Sequence, residues 1–395
     1  MRGSSATAAA ARHDARTLVP AVTAFICTGA WYGAWAVAGA DIERHLGYGH
    51  GQYGALLAVM FAFMAIGHYA GGRIVERTGM ARALVGLLAA QGLVLAILPS
   101  TSGAAFVALL LSLVTMSGAT NTVMNATIIG GSPGFVVRFH AWFNVGALLG
   151  AATVAVATEA GHDWRTAWAI VGIASLLASP LALSRPTPVM KQAPAPRLSL
   201  RELVGRRELA FVAVLFLVET AVEASVDTWG VLSLRDDLAV SVLVGAGAFV
   251  AGQALAVVAR AAIGPRISDE GGRGSSAAAA TAAIGLLLVA LTSNAAVGAA
   301  GLALAVMGMA VCGPLLLARA ARGFEQPAAV VGAVQASAMV GFIAGPSLVG
   351  LVANTFGVDR ALLALSATAA LLALASPLTG PNGEPGLADD GVTDG

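Results

Sequence analysis

Charge is scarce in this sequence. Only 11% of its 395 residues are charged, against roughly 25% in an ordinary soluble domain; 57% are hydrophobic and the mean hydropathy is +0.82. A water-soluble fold of this length cannot hide so much apolar surface and still present a polar shell. An integral membrane protein is implied. Cysteine is nearly absent: Cys27 and Cys312 both lie in apolar runs, with no disulfide-framework or metal-ligand spacing, and read as small core residues. Lysine is down to Lys191 alone, and a net charge of +1 leaves no basic face to neutralise phosphates, which excludes nucleic acid as a partner. Also missing are metal-type His/Glu spacing, a phosphate-binding Gly-Lys loop and a nucleophile elbow. No enzyme activity, cofactor or metal is therefore expected. The longest non-membrane segment, about 25 residues, is too short for a catalytic or nucleotide-binding domain. Glycine, by contrast, is plentiful. Its 48 residues are spread without period through apolar stretches, which fits close helix packing in lipid and not a collagen-like or linker-like chain.

A membrane span needs about 20 mostly apolar residues. Twelve such segments are predicted, near 17–40, 52–73, 82–99, 103–128, 136–158, 164–183, 209–233, 240–264, 275–292, 296–318, 329–353 and 359–379. The first imitates a secretory signal, with Arg2, Arg12 and Arg16 before it and Ala38-Gly39-Ala40 at its end. Its apolar stretch from Leu18 is longer than a signal core, and many similar segments follow, so it reads as a span. The fold class is all-α integral membrane, with domains at 1–183 and 209–379, a polar cytoplasmic linker at 184–208 and an acidic, disordered tail at 380–395. In the linker, four prolines make the first half extended, while 198–208 is compatible with a short surface helix.

With the N-terminus inside, 18 of the 22 basic residues fall on one side, leaving Arg44, Arg165, Arg235 and Arg360 on the other. So lopsided a split places both termini in the cytoplasm and supports the span count, since one miscounted span scrambles every later loop. The two halves also look related. Val145-Gly146 and Gly150 in the fifth segment match Val340-Gly341 and Gly345 in the eleventh, 195 positions apart. Six plus six spans around a linker is the footprint of two bundles.

The loop after the second segment reads Gly72-Arg73-Ile74-Val75-Glu76-Arg77-Thr78-Gly79-Met80-Ala81-Arg82. It resembles the loop signature of the major facilitator superfamily, G-x-x-x-[DE]-R-x-G followed by basic residues. Gly72, Glu76, Arg77 and Gly79 match, Met80 and Ala81 depart, and Arg82 is the nearby basic residue. The resemblance runs from Leu18 to Leu378. It implies two six-helix bundles with pseudo-twofold symmetry around a central cavity, and a cytoplasmic latch at this loop. The alternative is a charged turn obeying the positive-inside rule. Finer blocks are similar to the fucose-permease-like branch: Asn125, Phe139-His140-Ala141-Trp142-Phe143-Asn144-Val145-Gly146 and Gly345-Pro346-Ser347-Leu348-Val349-Gly350. That branch is broad; its namesake permease couples sugar uptake to protons through acids in the first and fourth spans, which this sequence is read as lacking, so neither that sugar nor that coupling site carries over.

Acids inside lipid are rare and usually functional. Deep in its interior only the seventh segment carries any: Glu219, Glu223 and Asp227. Steps of four place all three on one helical face, where they must meet a wet cavity or be partly protonated. The resemblance adds an acid six residues before a tryptophan, matched by Glu223 and Trp229, so Glu223 is the first candidate for proton coupling. Recognition of a cationic cargo and structural pairing with distant donors are the other readings. Trp31, Tyr32, Trp35, Asn121, Asn125, His140, Asn144 and Gln335 are candidate cavity-lining groups, suited to a sugar-like or nucleoside-like solute; interhelical hydrogen bonding is the alternative for each. Arg260 partly matches a G-R-x-x-G-D block of the same branch and either bridges to a loop carboxylate at the latch or snorkels to headgroups. His68 reads as a packing histidine.

The expected function is secondary active transport of a small organic solute by alternating access, proton-coupled, in the cell membrane, by a monomer. Efflux of a drug or metabolite is the alternative, and a non-transporting sensor or scaffold on the same fold a further one.

Overall fold

The computed structural model describes residues 15–128, 133–183, 205–263, 272–320 and 327–378. Among these, twelve helices are long and apolar enough to cross a membrane, and there is no strand. In hydrocarbon the backbone must satisfy its own hydrogen bonds, so each apolar run becomes a helix. The first six are α1 (Ala15–Leu46), α2 (His50–Thr78), α3 (Met80–Ile97), α4 (Gly103–Ala126), α5 (Pro133–Glu159) and α6 (Trp164–Ala178). The second six are α7 (Arg207–Asp237), α8 (Val242–Ile263), α9 (Arg273–Leu291), α10 (Ala295–Ala320), α11 (Pro327–Phe356) and α12 (Val358–Ala375). Large apolar side chains such as Leu177, Leu374, Val156 and Val258 are exposed, as lipid-facing positions should be.

The helix ends differ from the apolar-run bounds for identifiable reasons. Helix α1 continues to Leu46 through Asp41, Glu43 and Arg44, since charged residues do not interrupt a helix. This corrects the reading of the first span as free of acids: the span reaches Leu46 and carries Asp41, half-buried, and Glu43, buried. Helix α6 stops at Ala178, and Ser179–Leu183 tightens into a 3₁₀ turn around Pro180. The same turn closes α3 at Pro99 and α12 at Pro377, since proline cannot donate to the preceding turn.

Two six-helix bundles result. The chain separates into compact units within Met1–Leu46 plus Val59–Ala193 and within Gly47–Ala58 plus Pro194–Gly395, so the first residues of α2 cluster with the second unit. In the first unit α1 lies along α5 and α3 along α6; in the second α7 lies along α11 and α9 along α12. The matched glycine blocks make the first of these pairings. Gly146 and Gly150 lie so close to the backbone of Ile26 and Ala30 in α1 that any Cβ would collide with it. In the other unit Gly341 and Gly345 meet Leu217 and Ala221 of α7 in the same way. Missing side chains let the helix axes approach, and the gain is dispersion between backbones. Around that seam Ser337 Oγ lies 3.0 Å from the Ala213 carbonyl of α7 and 2.5 Å from the Val334 carbonyl of its own helix, the two sharing its one proton.

The α2–α3 turn explains one signature glycine. Gly79 has φ 79° and ψ 158°, a region essentially reserved for glycine, and Gly272 at the corresponding α9 turn also has positive φ. Gly72 is helical, exposed and has open space where a Cβ would stand. Gly79→Ala is expected to cost about 1–3 kcal/mol, whereas Gly72→Ala should be neutral or slightly stabilising. Melting midpoints of the two variants in detergent check this; equal midpoints would mean that the turn relaxes freely.

Candidate functional site

The acidic stripe is built on α7. Glu219, Glu223 and Asp227 rise along one face, Glu219 fully buried and the other two half-buried. Helix α10 shapes the surroundings of the first acid. A Cβ on Gly313 would stand 2.8 Å from Glu219 Oε1, so the absent side chain is what admits the carboxylate. Among the described residues neither Glu219 oxygen has a hydrogen bond of ordinary geometry, and the backbone of Gly313 is a polar group beside it.

The balancing charge comes from α8. Arg260 is buried, and its Nε donates to the Ala310 carbonyl at 2.7 Å. Four residues after Ala310 stands Pro314, inside the helix. Proline lacks the N–H that would normally take that carbonyl, so α10 leaves an acceptor open and Arg260 fills it. Held there, the guanidinium is within electrostatic reach of Glu219, Glu223 and Asp227. Arg260 therefore does not snorkel to headgroups; it is a buried cation facing the acids. Trp229, fully buried two residues after Asp227 and so off the acidic face, donates Nε1–H to the Pro346 carbonyl at 3.0 Å and packs edge-on against Tyr53 and His50.

In the first bundle the candidates divide. Asn121, Asn125, Tyr32 and His140 are half-buried, and Asn125 Nδ2 donates to the Asn121 carbonyl and to its Oδ1. His140 meets Phe25 edge-on. Trp31, Trp35 and Asn144 are buried: Trp31 Nε1 donates to Ser117 Oγ at 3.0 Å, and Trp35 packs on Trp168. The side chain of Gln335 lies outside the described residues, as does most of the 184–208 linker and all of 380–395. At the α2–α3 loop Gly72, Glu76, Arg77, Gly79 and Arg82 are all at least partly exposed, and Arg260 is not among them. Among the described residues no group of His, Cys, Asp and Glu is arranged to hold a metal ion.

The family model of the Major Facilitator Superfamily matches residues 20–346. The chain belongs to that superfamily. No curated protein sequence matches it. Solved structures with the same fold include a bacterial homolog of the human lysosomal transporter Spinster, with a TM-score of 0.71 at 13% identity, covering 92% of this chain and 96% of the other. The nucleoside transporter NupG superposes with a TM-score of 0.66 at 15% identity over 93% and 99% of the two chains. The human organic anion transporter MFSD10 gives 0.64 at 16% over 91% and 98%. At such identities the likeness is one of fold.

For this member of the Major Facilitator Superfamily, the sequence shows the acids but not their counter-charge. Arg260 is 33 residues beyond Asp227, and nothing in the periodicity of α8 says which neighbour it meets. The available signal was Pro314, which marks Ala310 as a carbonyl in search of a donor.

Proposed function

We propose that this protein is a proton-coupled secondary transporter of a small organic solute, working by alternating access, with Glu223 as the proton-exchanging group. The observation that carries the reading is the buried Arg260 facing three carboxyl groups on α7. Inside a membrane, uncompensated charge is expensive. A carboxylate beside a fixed cation is tolerated, and the same group protonated releases that cation to its other neighbours. Proton gain or loss at Glu223 thus changes which contacts Arg260 makes, which is the kind of differential interaction that can bias two conformations.

Cargo is assigned as sugar-like or nucleoside-like, resting on the amides and rings of the first bundle and on the fucose-permease-like blocks. The bundles are taken as 1–183 and 209–379, with a linker at 184–208, and the Gly72–Arg82 loop as the cytoplasmic latch. The protein is placed in the cell membrane as a monomer, as the family resemblance implies, with both termini cytoplasmic on the strength of its basic-residue asymmetry. A second reading, efflux of a cationic compound, draws on the excess of three acids over one arginine.

The test is a ligand-induced thermal-shift panel of sugars, nucleosides, amino acids and cationic drugs at two pH values, on wild type and Glu223→Gln. A hit whose shift depends on pH in wild type and loses that dependence in the variant supports the assignment. Identical pH dependence in both removes Glu223 from the coupling role.

A further inference from the structure

We propose that His68 of α2 is a specificity-determining residue that presents Nε2 as a hydrogen-bond acceptor, together with Asn121 and Asn125 of α4, to an uncharged solute rich in hydroxyl or N–H donors. The proposal rests on the transporter reading above and narrows its substrate class.

Thr122 Oγ1 lies 3.0 Å from the His68 backbone carbonyl and 3.0 Å from His68 Nδ1. A hydroxyl has one proton. If it went to Nδ1, two oxygen acceptors would face each other at 3.0 Å with nothing between them. Both contacts are hydrogen bonds only when the hydroxyl donates to the carbonyl and Nδ1–H donates to the hydroxyl. Neutral imidazole in that tautomer has a bare Nε2, and among the described residues nothing bonds to it.

The asparagines are oriented by the same logic. Asn125 Nδ2 faces two acceptors, the Asn121 carbonyl at 2.9 Å and Asn121 Oδ1 at 2.7 Å. That geometry requires the amide nitrogen of Asn125 and the amide oxygen of Asn121 there. It leaves Asn125 Oδ1 as an acceptor and Asn121 Nδ2 as a donor. Thr122 sits between the asparagines in sequence, so the three groups lie within about one turn of α4. All four side chains are half-buried. Unspent hydrogen-bonding groups do not face hydrocarbon, so these face water or a solute. Two acceptors and one NH₂ donor fit a polyol or a nucleoside.

The test uses two isosteres. His68→Asn keeps an amide near Nδ1 and removes the Nε2 acceptor; His68→Gln keeps an acceptor near Nε2. Affinities for D-glucose, D-ribose, uridine and adenosine would be read by thermal shift, with tetraphenylphosphonium as the cationic probe. For whichever uncharged probe binds wild type, His68→Asn should weaken it about tenfold, the worth of one hydrogen bond, and His68→Gln should stay within about threefold. The reverse order makes His68 a structural anchor and overturns the proposal. Binding of tetraphenylphosphonium alone, or of no uncharged probe, overturns the solute class. Independently of ligand, ¹⁵N spectra of histidine-labelled protein, with His68 identified by its loss in His68→Asn, should show Nδ1–H; an Nε2–H tautomer overturns the assignment. Uncharged binding through His68 with unaltered pH dependence in Glu223→Gln defeats the coupling reading and leaves this site standing.

Discussion

Removing the Arg260 guanidinium with Arg260→Ala is expected to destabilise the second bundle by about 3–5 kcal/mol, the usual loss when one partner of a buried charge set is deleted. Three carboxyl groups would then share one stripe of α7 with no cation beside them, and the Ala310 carbonyl, already denied a helical donor by Pro314, would lose its Nε–H partner. The double variant Arg260→Ala, Glu223→Gln should recover part of the loss, because it also removes one of the charges that Arg260 balances. Melting in detergent of the wild type, both singles and the double gives the coupling energy. Strictly additive losses would show that the two residues do not share a local charge balance.

The second large effect is steric. Leucine at Gly150 in α5 or at Gly345 in α11 should cost at least about 3 kcal/mol, because overpacking costs about 1–3 kcal/mol even where side chains can shift. Here the obstruction is backbone: Ala30 in one unit and Ala221 in the other. The axes must separate along α1–α5 or α7–α11, and the dispersion gained at the seam is lost with them. Gly86 in α3 has open space around its Cβ position, so Gly86→Ala should be neutral or stabilising by up to about 1 kcal/mol. Size-exclusion profiles and melting midpoints of the three variants separate these expectations. If Gly150→Leu melts with the wild type, the seam is not held by close approach.

The architecture was legible because lipid imposes so simple a rule: apolar runs of sufficient length, each forced to be a helix. Span bounds moved where a local residue moved them, as with the charged residues that carry α1 to Leu46; the sixth span ends at Leu183 as its apolar run does, Pro180 only tightening its last turn. The glycine blocks in the fifth and eleventh segments were visible as a repeat, and their shared task became clear only when each was found against the first helix of its own bundle. The acid stripe on α7 could be read from spacing alone. Its cation could not, since Arg260 matched a loop motif and its actual acceptor depended on a proline in a helix two spans later. Polar residues in the first bundle were the least legible. Composition cannot separate Trp31, whose N–H is taken by Ser117, from Asn121, whose amide nitrogen meets no acceptor among the described residues. That difference is set by which neighbour stands within 3 Å, and spacing along one helix does not contain it.

The central claim is that proton exchange at Glu223 drives solute movement. It is met most directly by reconstituting wild type and Glu223→Gln in liposomes and measuring accumulation of the best-binding uncharged probe under an imposed pH gradient, alongside its exchange with no gradient. Gradient-driven accumulation by wild type that disappears in Glu223→Gln, with exchange retained, is the expected result. Accumulation surviving at wild-type level in the variant would contradict the claim and place the coupling elsewhere in the chain.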